Sequence, residues 1–372
     1  MERPLSILAV TNIYPGPGHP TLGVFVEQQI QGLRAIGLRV AVFYVDRAGQ
    51  GMKAYFTMLG PLAAAVQETK PDLIHLMYGG IMADRVTAWS QPTPTVVTFH
   101  GSDLLGENLS GFVRKCVSRV GTWSSRRAAA RADGVVVVSS RLKDSLPRTL
   151  DPAKVRIIPC GIDLERFRPM DKSVCQSRLG WDPNRFHVLF ATNNGDPVKR
   201  PELADAAVEA VKRLKVPGQL HRLQNVSNAD VPIWMNASDA LILTSLHEGS
   251  PTVVKEALAC GLPVVSVDVG DVADRIGGIE GCHMSTSEPE DLASKLLLVS
   301  RAGIRVQARE QIQELSLQHI ARRLEAFYHE TIRAQATACH GLAGFSSGTM
   351  LASAKRGNSS GVRTVSSGGN RP

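Results

Sequence analysis

A chain of 372 residues with 43% apolar content is too long for one ordinary core and predicts two domains of about 150–200 residues. Its net charge of +8 favours anionic partners: a phosphorylated substrate, nucleic acid or anionic lipid. The six cysteines are scattered without a CxxC pair, which excludes a zinc or disulfide framework and suits a reducing compartment; no run of roughly 18 apolar residues predicts a spanning helix.

LSILAVTN is the first predicted strand, in an N-terminus whose apolar run is too short for a signal peptide. The turn-rich NIYPGPGHP leads from it into an amphipathic helix over 20–37, closed by Gly37. LRVAVFYVD, DLIHLMYG, TVVTFHGSD, GVVVVSS and KVRIIPCGID read as further strands, most of them separated by helical patterns. Such alternation argues for parallel sheet covered on both faces. FRPMDKS and GWDPN supply turn residues for a domain boundary near 166–183. Beyond it FHVLFATN, ALILTSL and LPVVSVDVG are strands, QLHRLQNV is a candidate strand in a weakly patterned stretch, and 201–215, 289–299 and 304–333 are helical in pattern, with ALACG ending another helix. The expected organisation is α/β: doubly wound domains over 1–170 and 171–318, and a terminal helix over 319–333 packing back on the first. A basic tail over 334–372 closes the chain, and its last 32 residues hold seven Gly and seven Ser, a composition that predicts disorder.

Two doubly wound domains leave a cleft between the carboxyl ends of their strands, where ligands meet loops and helix N-termini. HEGSPTVVKEALACG, residues 247–261, follows a strand and enters a helix. Ser250 is a candidate N-cap, Pro251 fits the first helical position, and the first-turn N–H groups make an anion site. Glu248 and Glu256 are candidates for the hydroxyls of a ligand; the plainer alternative is an exposed loop acid and a solvated helix acid beside Lys255. NNGDPVKRPELA sets Asn194, Lys199 and Arg200 before a helix, where a lysine can meet a diphosphate as a point charge. It is neither a Walker motif nor GxGxxG. Gly16, Gly18 and Gly23 after the first strand permit close backbone approach. His100 and Asp103 in FHGSD could bind a polar ligand or handle a proton, while His75 reads as packed. Residues 111–131 hold six basic side chains and no acid, with Phe112, Val113, Val117 and Trp123 beside them. That is a surface for anionic lipid or an ordinary basic helix packed on the sheet. No module for nucleic acid and no metal-ligand spacing is present.

These motifs together resemble the retaining glycosyltransferases of family four, with the GT-B fold, of the bacterial polysaccharide and glycolipid type. The likeness spans roughly residues 5–330 and is most specific in NASDALILTSLHEGSPTVVKEALACGLPVVSVDVGD, where Glu248 and Glu256 match a pair of glutamates separated by seven residues. TFHGSD, RIIPCGIDLERFRP and PTLGVFVEQQI add to it. The resemblance implies two Rossmann-like domains facing across a cleft, and transfer of a sugar from a UDP- or GDP-linked donor to a glycan or lipid-linked acceptor, with no tightly bound cofactor or metal. It implies Glu248 on the donor sugar, Glu256 on the ribose, and Lys199 on the diphosphate. The amides of Gly249, Ser250, Pro251, Thr252 and Val253 are implied at the distal phosphate, Pro251 contributing through its place in the loop. His100, supported by Asp103, would line the sugar and acceptor site above a loop of Gly16, Gly18 and Gly23. One departure stands out: the arginine usual five residues before the lysine is Asn194 here, and Arg200 is a candidate for the missing charge. Two readings stay open, an active cytoplasmic enzyme, peripheral on the inner membrane face, or a weak or inactive homologue that binds sugar nucleotide or glycan.

Overall fold

The computed structural model describes residues 3–353, apart from 17, 20, 90, 107–111 and 193–195. The first half runs β1 (Ser6–Thr11), α1 (Val24–Ala35), β2 (Arg39–Tyr44), then α2 (Arg47–Gln50), α3 (Lys53–Thr57) and α4 (Leu59–Thr69). It continues with β3 (Leu73–Leu76), α5 (Gly80–Ala88), β4 (Thr95–Phe99), α6 (Ser102–Leu105), α7 (Phe112–Arg131), β5 (Gly134–Val137), α8 (Ser140–Lys143) and β6 (Val155–Ile157). The second half runs α9 (Lys172–Leu179), β7 (Phe186–Ala191), α10 (Pro201–Arg213), β8 (Gly218–Leu223), α11 (Val231–Ala237) and β9 (Ala240–Leu243). It ends with α12 (Thr252–Ala259), β10 (Val264–Val267), α13 (Val272–Ile276), β11 (His283–Ser285), α14 (Pro289–Ala302) and α15 (Leu317–Ser353).

The strands form two sheets, ordered β2-β1-β3-β4-β5-β6 and β11-β10-β9-β7-β8. Every pair is parallel. Central strands such as β3, β4, β5, β9 and β10 are buried along their whole length, as helices on both faces require. β8 lies at a sheet edge and is only partly covered, so its residues alternate weakly.

Two stretches depart from the sequence pattern. Residues 304–316 are not helical beyond a single 3-10 turn at Gln313–Leu315, and α15 starts at Leu317. This segment is stapled to the body by arginines: Arg305 donates to the Ser238 carbonyl at 2.9 Å, and Arg309 to those of Phe167 at 2.8 Å and Leu164 at 2.5 Å. The Ile162 amide donates to the Leu315 carbonyl and the Leu317 amide to that of Ile162 where the chain returns to the first half. There Tyr328 meets the buried His75 Nδ1 at 2.7 Å, and Arg156 pairs with Glu330. The second departure is that α15 continues to Ser353, so the first part of the Gly/Ser-rich tail is helical. That part still carries Leu, Ala and Met and no proline. Residues 354–372 lie outside the described residues.

Candidate active site

A cavity of about 330 Å³ opens where the carboxyl ends of both sheets meet. The first half lines it with Phe25, His100, Val138 and Cys160, the second with Lys199, Leu223, Glu248 and the loop Gly249–Val253. The halves touch through glycines. A Cβ on Gly249 would lie 1.8 Å from the His100 carbonyl oxygen, and one on Gly101 3.0 Å from the Gly249 nitrogen.

The loop feeds α12, whose N-cap is Pro251, with no side chain capping it. Ser250 is therefore not the cap that local sequence rules suggested. Its hydroxyl donates to Asp271 Oδ2 at 2.8 Å and accepts from Lys255 Nζ at 2.6 Å, a tertiary pairing that outcompetes the local one. The start of α12 thus lines the cavity with no side chain capping it, as an anion site at a helix N-terminus requires.

Lys199 sits on the 3-10 turn Pro197–Lys199, started by the Asp196 side chain accepting from the Val198 amide. Its Nζ pairs with Glu248 Oε1 at 2.5 Å, and Ser245 Oγ donates to the same oxygen at 2.7 Å. Arg200 does not line the cavity. Its guanidinium binds the Thr244 and Ser245 carbonyls and Ser287 Oγ, so its charge ties the turn to the end of β9 instead of replacing an arginine at 194. Asn194 lies outside the described residues.

His100 follows β4 directly and lies between Phe25, at 4.6 Å between ring centroids, and Tyr78, at 6.2 Å and nearly parallel. Nε2 is 3.0 Å from the Met77 carbonyl, which can only accept, so Nε2 carries the hydrogen. Nδ1 then accepts from the Cys160 thiol at 3.5 Å. Burial pushes the imidazole down to about 4 and the thiol up to about 11, so both are neutral. With both ring nitrogens occupied, His100 is a shaped, uncharged wall. Asp103 does not reach the cavity: it accepts from the His100, Gly101 and Gly79 amides and fixes the turn. Burial raises its carboxyl to about 6 against those hydrogen bonds.

Glu256 lies farther along α12 and is not part of the cavity wall. It is half-buried, not solvated, and burial pushes it up to about 7, with Arg166 and Lys255 pulling it back. Gly16 and Gly18 have open space where a side chain would go, so nothing in the fold demands glycine there. Gly23 is different: at φ +69° it starts α1, and a Cβ would lie 2.5 Å from the Ile13 carbonyl oxygen. Phe25, Val138, Cys160 and Leu223 reach the cavity without a motif to announce them; an apolar residue at a strand end or helix start carries no local sign of lining a cleft.

Two parallel α/β halves that share a cleft at their strand ends form the GT-B fold of glycosyltransferases. Residues 22–166 match the model of the Glycosyltransferase Family 4 and residues 183–301 that of the Glycosyl transferases group 1. A Bacillus subtilis protein named for glycosyl transfer in teichuronic acid biosynthesis, TuaC, is 28% identical over 73% of this chain and 83% of its own. The alpha-maltose-1-phosphate synthase of Mycolicibacterium smegmatis is 24% identical over 88% and 99%. Among solved structures, sucrose-phosphate synthase from Thermosynechococcus elongatus superposes with a TM-score of 0.73 at 17% identity, covering 88% of this chain and all of that one. Anabaena HepE in complex with UDP and glucose gives 0.64 at 18%, with 88% and 100% covered. Between them the two models span most of the chain and mark it as a glycosyltransferase of the family four type.

Proposed function

We propose that this enzyme moves a sugar from a nucleoside diphosphate donor to an acceptor hydroxyl with retention, in the assembly of a cell-surface polysaccharide or glycolipid. The observation that carries the reading is the uncapped start of α12, set beside Lys199 and Glu248 and opposite His100 in one cavity. A diphosphate is the group this arrangement suits: amides at the helix start donate to its oxygens, and Lys199 adds a point charge. When a donor enters, Lys199 turns from Glu248 to phosphate, and Glu248 takes the sugar hydroxyls. Glu256 serves the ribose, reached as the cleft closes on the donor. The leaving diphosphate gains charge as the glycosidic bond breaks, and the amides and Lys199 stabilise it. Glu248 is held by Lys199 and Ser245, which argues against a free nucleophile on the sugar. The departing phosphate oxygen then deprotonates the acceptor, which keeps the anomeric configuration. The names of TuaC and of HepE with its UDP and glucose support a glycan product and a nucleotide-linked sugar donor.

Peripheral attachment to anionic membrane belongs to the same reading. On α7, Val117, Val120 and Trp123 are exposed beside exposed Lys115, Arg119 and Arg126. Arg127 and Arg131 contribute less, because both pair with Asp84. No helix among the described residues is long and apolar enough to cross a membrane.

A panel of UDP-, GDP- and ADP-sugars tests the enzyme reading. Release of nucleoside diphosphate by the wild type, lost in E248A, is expected. Binding of a donor without any release would make the chain an inactive homologue that only holds sugar nucleotide.

A further inference from the structure

The cavity has to hold a diphosphate, yet among its described lining residues Lys199 is the one cation, and Glu248 already offsets it. A second positive group stands directly behind the wall. The Lys255 side chain, on α12, is fully buried. Its Nζ donates to Ser250 Oγ at 2.6 Å and to the Cys160 carbonyl at 3.4 Å. Ser250 passes its hydrogen to Asp271 Oδ2 at 2.8 Å, which also accepts from Arg275 Nε at 2.8 Å. A buried ammonium is costly unless paired, and an apolar side chain would fill the same space more cheaply. Here the pairing joins two pieces of the cavity wall: Ser250 from the second half and Cys160 from the first.

We propose that Lys255 is a positioning residue for the phosphate loop, holding Ser250 against Asp271 and tying the loop across the cleft to Cys160. This rests on the nucleotide-sugar reading above. Ser250 Oγ gives its hydrogen to Asp271 and a lone pair to Lys255, so it has no hydrogen left for a phosphate. The loop therefore acts through its main chain, and Lys255 fixes where those amides point while adding positive potential behind them. The charge on the leaving group grows in the transition state, so the contribution falls on turnover more than on donor binding.

The experiment uses the donor that the wild type turns over fastest. K255M, of similar shape and without charge, is expected to lose about tenfold or more in kcat with donor KM within about threefold. K255A is expected to recover turnover with n-propylammonium, the part of the side chain removed, but not with 1-propanol. S250A, a small change that leaves Lys255 in place, should lower kcat in the same sense, which keeps the test decisive if a lysine variant fails to fold. Wild-type turnover in K255M or S250A, a change confined to KM, or equal recovery with 1-propanol would each overturn the proposal. A wild type inactive on every donor overturns the proposed function and this inference together; an active wild type with an undiminished K255M overturns this inference alone.

Discussion

Replacing Gly249 by alanine tests whether the close approach of the two halves matters to the chemistry. Gly249 has no left-handed φ, so alanine suits its own backbone. The obstacle lies across the cleft. The new Cβ would stand 1.8 Å from the His100 carbonyl oxygen and 2.7 Å from its carbon, where real Cβ contacts essentially never fall below 3.0 Å. Both opposing atoms are main chain, so no rotamer change relieves the clash, and one loop must retreat by about 1 Å. A misplacement of that size costs about 100-fold in rate, or about 2.7 kcal/mol in the barrier. Overpacking in a core costs about 1–3 kcal/mol of stability, but here the halves can part along the cleft, so the effect belongs at the low end. Steady-state turnover and a thermal melt measure the two effects separately. G121A, at a helical glycine with open space around it, is the control and should keep full turnover. If G249A kept half or more of the wild-type kcat, the closed approach of HGSD and HEGSP would have no catalytic weight.

Glu256 gives a pH prediction. Its folded pKa of about 7 lies above its ordinary 4.5, because burial favours the neutral acid. Its contribution to stability is therefore complete below about pH 4.5 and is lost as the pH rises through about 7. Urea midpoints should show E256Q gaining on the wild type between about pH 5 and pH 8, and parallel pH curves would contradict this; E256Q should also raise the donor KM. Y328F removes the hydroxyl on His75 Nδ1 in a fully buried pair and should cost about 1–3 kcal/mol by urea unfolding, with a loss within error counting against the C-terminal helix as a structural clamp. Combined K115Q, R119Q and R126Q with W123A should abolish co-sedimentation with phosphatidylglycerol vesicles, and undiminished binding would reject α7 as the lipid-facing surface.

The sheets were legible because their strands are buried on both faces, and such strands read as continuous apolar runs. GVVVVSS and ALILTSL need no context to be recognised. QLHRLQNV was marginal because β8 is an edge strand whose outer side chains are under no apolar constraint. The helix pattern over 304–316 misled because Arg305 and Arg309 occupy helix-compatible positions, while their partners are carbonyls up to 145 positions away in the chain. The glutamates and Lys199 came from a motif. What surrounds them did not: nothing local marks Lys255, next to Glu256, as buried, and its ammonium reaches the Cys160 carbonyl, 95 positions earlier. Ser250 shows the same limit from the other side. It has the right chemistry for an N-cap, but a buried ammonium and a carboxylate claimed it first.

The glycines at the seam connect this packing to the chemistry. Gly101, Gly249 and Gly270 come from the ends of β4, β9 and β10, and each would place a Cβ against main chain of a neighbouring loop. Gly101 and Gly270 also hold left-handed φ values, +141° and +56°. At these three glycines the loops meet through amides and carbonyls, beside the side-chain bond from Ser250 to Asp271. The polar surface at the glycine contacts is backbone, which costs no side-chain entropy to organise and cannot rotate away from a ligand. Backbone dipoles fixed in this way suit a reaction whose charge appears only as a bond breaks. The same closeness restricts side-chain chemistry to the rim, where Lys199, Glu248 and His100 stand. Enlarging any one of these glycines should therefore harm the reaction more than removing the buried hydroxyl of Ser245, which supports Glu248 from behind.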